Sequence, residues 1–207
     1  MRVILLVVFY WYGANGTVNN STFIKNTAKS DGGVYWYGTN STMFNCNFKD
    51  NHAAYGDNVY WYWTVEDFLN RYGQINDYDY VWIRNGVGTP TRTIVLNKSS
   101  ITISGEGDVI FDGHGKNLHF EITGSDVLIE RLTFRNFNFT GLGGAIFWTG
   151  ARGILQNCNF NNNTAKVSGG AVFWGGANGI LTDSTFINNT SNVDGAGVCW
   201  SGINGIL

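Results

Sequence analysis

Residues 143–207 read GGAIFWTGARGILQNCNFNNNTAKVSGGAVFWGGANGILTDSTFINNTSNVDGAGVCWSGINGIL, one pattern written nearly three times. Trp148, Trp174 and Trp200 recur with a constant step of 26, as do Gly153, Gly179 and Gly205 and the pairs Ile154-Leu155, Ile180-Leu181 and Ile206-Leu207. Phe160 and Phe186 keep the same step. A fixed period of this size means stacked copies of one supersecondary unit, none of which can bury its apolar face alone.

The frame extends toward the N-terminus. Ile103, Ile129, Leu155 and Leu181 fall on one line, as do Gly124, Gly150 and Gly176, and Phe134, Phe160 and Phe186. A second array with a step of 25 opens the chain: Trp11, Trp36 and Trp61, then Phe23 and Phe48, then Asn26 and Asn51. The interval from Trp11 to Phe23 equals that from Trp148 to Phe160, so the two arrays share one unit. Between them Thr64 to Arg92 breaks the pattern. Thr64-Val65-Glu66-Asp67 has a capping threonine and first-turn acids, with Phe68, Leu69 and Tyr72 at helical spacing. This predicts one short helix, then a strand around Tyr80 to Ile83, with Pro90 ending the excursion. From Thr93, short apolar runs at 93–96, 100–104, 109–111, 118–122, 126–130 and 132–134 sit between Gly, Asn, Ser and Asp turns and read as strands.

Composition agrees with many short strands. The 207 residues carry 28 Gly against 1 Pro, 15% aromatic and 14% charged residues. A net charge of -2 gives no basic footprint, so nucleic acid is not an expected partner. Cys46, Cys158 and Cys199 lack the close pairing of a zinc site. Cys46 and Cys158 both occur as Asn-Cys-Asn-Phe, with Ser184 in that place one repeat later, which reads as a small buried position. Met1-Arg2 and the apolar run from Val3 to Phe9 look like a signal peptide without a cleavage site and run straight into a repeat, so the chain is expected to begin inside a longer array. No stretch is long enough to span a membrane as a helix.

Aligned coils also fix side-chain direction. Glu121 occupies the place of Phe147 and Phe173, and a charge does not belong in a core. With alternation along each strand, Ile146, Trp148, Val172, Trp174, Val198 and Trp200 point inward, and Phe147 and Phe173 outward. The same test puts Leu155, Leu181, Val18 and Met43 inside, Thr17, Thr42 and Thr102 outside, and Phe23, Phe48, Phe134, Phe160 and Phe186 in a core stack. Coils about 4.8 Å apart place like over like, so Asn26 over Asn51 and Asn163 over Asn189 can ladder their amides along a corner. Gly143-Gly144 and Gly169-Gly170 supply the positive-φ or close-approach positions of another corner.

Gly-Gly-Ala-Ile at 143–146 and Gly-Gly-Ala-Val at 169–172 alternate with Phe-x-x-Asn at 23–26, 48–51, 160–163 and 186–189. These resemble the GGA(I/L/V) and FxxN repeats of the polymorphic outer-membrane-protein family. The aromatic, Asn-rich variant Gly-Gly-Val-Tyr-Trp-Tyr-Gly at 32–38 is similar to the adhesin-like surface proteins of methanogenic archaea. The resemblance covers 9–62 and 143–200. It implies an all-β, right-handed, single-stranded parallel β-helix of pectin-lyase type, an extracellular or cell-surface location and a role in adhesion. Three departures stand out: Phe137 replaces the Asn after Phe134, Gly197 replaces the alanine of the third Gly-Gly-Ala, and no C-terminal barrel or anchor is expected within these 207 residues. The expected organisation is coils with a step of 25 over 1–63, an irregular or helical insertion over 64–92 with its helix around 64–75, and coils with a step of 26 over 93–207, all in one solenoid from a larger protein.

The same fold carries polysaccharide lyases and hydrolases. Gly113-His114-Gly115 matches a short polygalacturonase motif, with Asp108 and Asp112 nearby. Yet glycoside hydrolysis needs two carboxyls across the scissile bond, and these two acids both sit at turn positions, one shortly after the other. A non-catalytic segment is therefore expected, with a polysaccharide-active enzyme as the alternative. Asp77-Tyr78-Asp79 offers hard oxygen donors but no recurring acid, so a solvated loop is expected and no metal or cofactor. His52 and His119 have no paired ligand and read as surface residues. Sequons occur at Asn15, Asn19, Asn20, Asn40, Asn97, Asn138, Asn162, Asn188 and Asn189, a weak sign of a glycosylated surface. The sharper signal is aromatic. Tyr10, Tyr35 and Tyr60 align with the outward Phe147 and Phe173, and Tyr12, Tyr37 and Tyr62 add a second column. These aromatics are the candidate strip for host or community glycans or proteins; a ladder that only stiffens the sheet, as in a passive stalk, is the competing reading.

Overall fold

The computed structural model describes residues 9–29, 33–38 and 41–207. The signal-like run before Phe9, Gly32 of the aromatic motif and the Asn40 sequon lie outside them. The chain is a parallel β-solenoid of about seven turns with one short helix. One long sheet carries the strands Phe9–Trp11, Val34–Tyr37, Val59–Trp63, Tyr80–Gly88, Thr102–Asp112, Leu128–Glu130, Ile154–Gln156 and Ile180–Thr182 in chain order. A five-stranded sheet stacks Ile94–Leu96, Phe120–Ile122, Ile146–Trp148, Val172–Trp174 and Val198–Trp200.

The registers bear out the repeat. Ile103, Ile129, Leu155 and Leu181 are successive partners, as are Phe134, Phe160 and Phe186. Trp148, Trp174, Phe134 and Phe160 are fully buried, and Trp148 stacks on Trp174 at 4.4 Å and Trp174 on Trp200 at 4.6 Å. Fully burying one such ring is worth roughly 2–3 kcal/mol, so the columns dominate the core.

Each repeat letter has a local cause. In Phe160-Asn161-Asn162-Asn163 the Phe fills the core, Asn162 takes a left-handed φ of 56°, and Asn163 turns its amide inward. Asn163 is fully buried, its Oδ1 accepting from the Phe137 N–H at 3.1 Å while its Nδ2 donates to Phe134 O and Asn189 Oδ1, both at 3.0 Å. A corner's otherwise orphaned backbone groups are thus satisfied by the coil above. Asn51 does the same for Asn26 and Phe23. Phe137 keeps the N–H of the corner, gives up the amide, and adds a buried ring 6.0 Å from Phe120. At the other corner Gly143 has φ +70°, and a Cβ on Gly144 would sit 1.9 Å from Gly170 O in the next coil.

The helix forms where expected, at Val65–Arg71, with a capping box between Thr64 and Asp67, and runs into a 3-10 turn at Tyr72–Gln74. Phe68, fully buried, touches Trp63, Phe111 and Phe120. The following strand is longer than expected and belongs to the stack: Tyr80–Gly88 pairs with Val59–Trp63 on one side and Thr102–Asp112 on the other. The runs 100–104 and 109–111 are likewise one strand, broken by an irregularity between Glu106 and Val109.

The two Trp columns do not share a sheet. Trp11, Trp36 and Trp61 lie in the long sheet and continue into Val81 and Ile103, whereas the Trp148 column occupies the five-stranded sheet. Matching sequence letters in the two arrays therefore sit on different faces.

Candidate functional site

The expected strip divides accordingly. Tyr10, Tyr35 and Tyr60 register with one another and then with Tyr80 on the outer side of the long sheet, stacked at 5.0, 5.0 and 5.1 Å. Beside them Tyr12, Tyr37 and Tyr62 stack at 4.7 and 4.6 Å, and Trp82 is the next register partner of Tyr62. Phe147 and Phe173, paired at 5.6 Å, stand elsewhere, in the five-stranded sheet in line with Val95 and Glu121. Tyr80 and Trp82 are hidden in the sequence by the apparent break, although Tyr80-Val81-Trp82-Ile83 repeats the alternation of Tyr60-Trp61-Tyr62-Trp63.

The tyrosine planes lie within 20° of parallel, so each ring spends its flat faces on its neighbours and turns its edge outward. Exposure falls along the rows, from 68% at Tyr12 and 47% at Tyr10 to 7% at Tyr60. The row then becomes polar. Tyr62 donates to Glu106 Oε2 at 2.6 Å, and the Arg84 guanidinium lies 5.4 Å over the Tyr62 ring. Burial, then the bond to Glu106, pushes the Tyr62 phenol up to about 12, so it remains a donor at physiological pH. Arg84 Nε is buried without a hydrogen-bond partner among the described residues. Two neighbouring concavities, of about 210 and 470 Å³, share Tyr62 and Arg84 and have linings that include Tyr12 on one side and Asp108 on the other. Beyond it Ser104 and Gln156 bond Glu130 at 2.8 Å each, while Arg131 pairs with Glu130 and lies 5.7 Å over Trp82.

The residues of the catalytic alternative are differently disposed. Asp112 is buried, and its oxygens accept from Arg135 Nε at 2.7 Å, the His114 N–H at 3.0 Å and Asn136 Nδ2 at 3.1 Å. Burial works against its ionisation, but the His114 N–H, Arg135 and Asn136 hold the carboxyl below its usual range. The His114 ring is exposed, with Nε2 3.9 Å from Asp112 Oδ1, and borders a concavity of about 370 Å³ whose lining contains no carboxyl group.

Three other expectations change. Asp79 is no solvated loop residue: it is 1% exposed and accepts from Val59 N, Trp61 Nε1 and Asn76 N at 3.1, 2.9 and 2.9 Å. His119 is buried, because its ring lies 3.7 Å from Phe139 and its Nδ1 sits 3.0 Å from Gly143 O, whereas His52 is at the surface. Cys158 is buried and Cys46 half-buried at their shared repeat position, but Cys199 stands in the outward line of Phe147 and Phe173; all three are free. Among the described residues no group of three or more His, Cys, Asp or Glu is placed to hold a metal, and no helix is long and apolar enough to cross a membrane.

A family model of the Chlamydia polymorphic membrane protein repeat matches residues 157–173. That stretch is part of one 26-residue unit, from the core Phe160 through the ladder Asn163 and the glycine corner at 169–170 to Phe173. The chain is thus similar to a family of surface proteins in its repeat. Neither the curated proteins nor the solved structures give a match.

Proposed function

We propose that the chain is a non-catalytic, cell-surface segment of an adhesin-like protein that binds glycans or proteins along the outer face of its long sheet. The observation that carries this reading is the double tyrosine row and the two concavities beside it that meet at Tyr62 and Arg84. Ring edges, phenolic hydroxyls and a guanidinium whose Nε has no hydrogen-bond partner among the described residues form a polar, repeating front rather than a set of flat stacking platforms. The likeness of residues 157–173 to a surface-protein repeat, and the absence of a carboxyl from the cavity beside His114, support it further.

The test replaces Tyr12, Tyr37 and Arg84 by Ser and measures binding to glycan arrays and intact cells. The expected result is loss of binding in a variant that still folds. Unchanged binding would leave the passive stalk. Release of reducing ends or unsaturated products from polysaccharides, abolished by His114→Ala, would establish the enzyme instead.

A further inference from the structure

The coil containing residues 119–142 departs from the repeat at three positions that meet in space. His119 stands where Ala145 and Ala171 follow in the next coils. Glu121 registers with Phe147 and then Phe173, and Phe139 with Ala165 and then Ser191. All three line one open concavity of about 350 Å³, with Gly141, Leu142 and Phe147. In a chain whose residue choices otherwise follow a repeat, converging departures are the expected mark of a site.

The concavity is built in advance. His119 is 5% exposed, its ring within 20° of parallel to Phe139 and 13° to Phe147, and its Nδ1 is committed to Gly143 O. The wall that carries Phe139 is tied down by Asn117 Oδ1, which accepts from Thr140 N at 3.0 Å and Thr140 Oγ1 at 3.2 Å. Burial holds the imidazole below its ordinary pKa, so His119 is neutral and the charge of the lining is that of Glu121. Glu121, half-exposed, makes no hydrogen bond or ion pair among the described residues.

A sugar would need several convergent donors and acceptors, and this lining offers few. His119, Phe139 and Phe147 are stacked on one another, so the rings give the concavity an apolar wall, and that wall beside the unpaired Glu121 carboxylate suits a cation on an apolar stem. We propose that this concavity binds an alkylammonium group, of the kind carried by choline or by a lysine side chain. It lies on the five-stranded sheet, so it goes beyond the tyrosine-row reading and stands or falls separately.

The experiment titrates the intact chain with choline, n-butylammonium and the neutral choline isostere 3,3-dimethylbutan-1-ol, following the Phe139 and Phe147 resonances by NMR. A cation is expected to bind with Kd on the order of 1 mM, and the neutral isostere about tenfold more weakly. Glu121→Gln keeps the shape and loses about tenfold. Glu121→Phe restores the repeat residue and abolishes binding without lowering the melting temperature. Preference for choline identifies a trimethylammonium source and preference for butylammonium a primary amine; both support the site. Equal binding of the neutral isostere, full binding by Glu121→Gln, or no binding of either cation overturns it. None of these variants touches the tyrosine rows.

Discussion

At the scale of single residues, the least legible side chain is the one with the most to do. Asp79 sits in an acidic, loop-like tripeptide, yet it gathers three N–H donors from two coils. Burial pushes its carboxyl up to about 7 against those donors. Between about pH 4 and pH 7 the native state therefore holds a proton that the unfolded chain has released, so stability contributed by this group falls as pH rises through that window. Asp79→Asn is expected to cost about 1–3 kcal/mol at acid pH, less near neutrality, and to flatten the slope; urea melts from pH 4 to 8 check it, and parallel curves for both proteins would refute it. His119 is equally opaque. Nothing in its own neighbours announces burial, because the partners that cover it, Phe139 and Gly143, come from a later strand and the corner after it. Inward and outward positions are far more legible, since one charge at Glu121 orients a whole column.

At the scale of elements, strands and corners follow from letters that recur. Phe-x-x-Asn encodes both a core ring and the amide that closes the corner below it, so Asn163→Ala should cost about 2–4 kcal/mol by stranding Phe137 N and Phe134 O. The same change at Asn162, whose exposed side chain donates to Asn136 Oδ1 at 2.8 Å, should cost less, its effect coming from that surface bond and the left-handed φ of 56°. Denaturation midpoints for the pair test the order, and equal losses would contradict the ladder. The helix is legible because its signals are local, with Thr64 at the cap and Asp67 one turn on. The strand Tyr80–Gly88 is only half legible because it departs from the frame of either array while keeping the apolar alternation of a strand within itself.

At the scale of the whole molecule, each coil meets only its neighbours, and Phe68 fills the junction between the two arrays. Phe68→Ala should cost about 3–5 kcal/mol and raise amide exchange in 34–63 more than in 146–200; an even rise across the chain would show a single cooperative unit instead. What periodicity could not reveal is which face each array presents. A repeat aligns residues within an array, but the sheet they join is set by the path of the connecting chain. The helix and its 3-10 turn are that path, and after them the Trp unit stands on another sheet. They act as a phase step in a periodic fibre. An array of identical units aims its outward column in one direction however long it grows; each such step inserted in a longer array re-aims the column, so one filament can hold fronts toward two different neighbours.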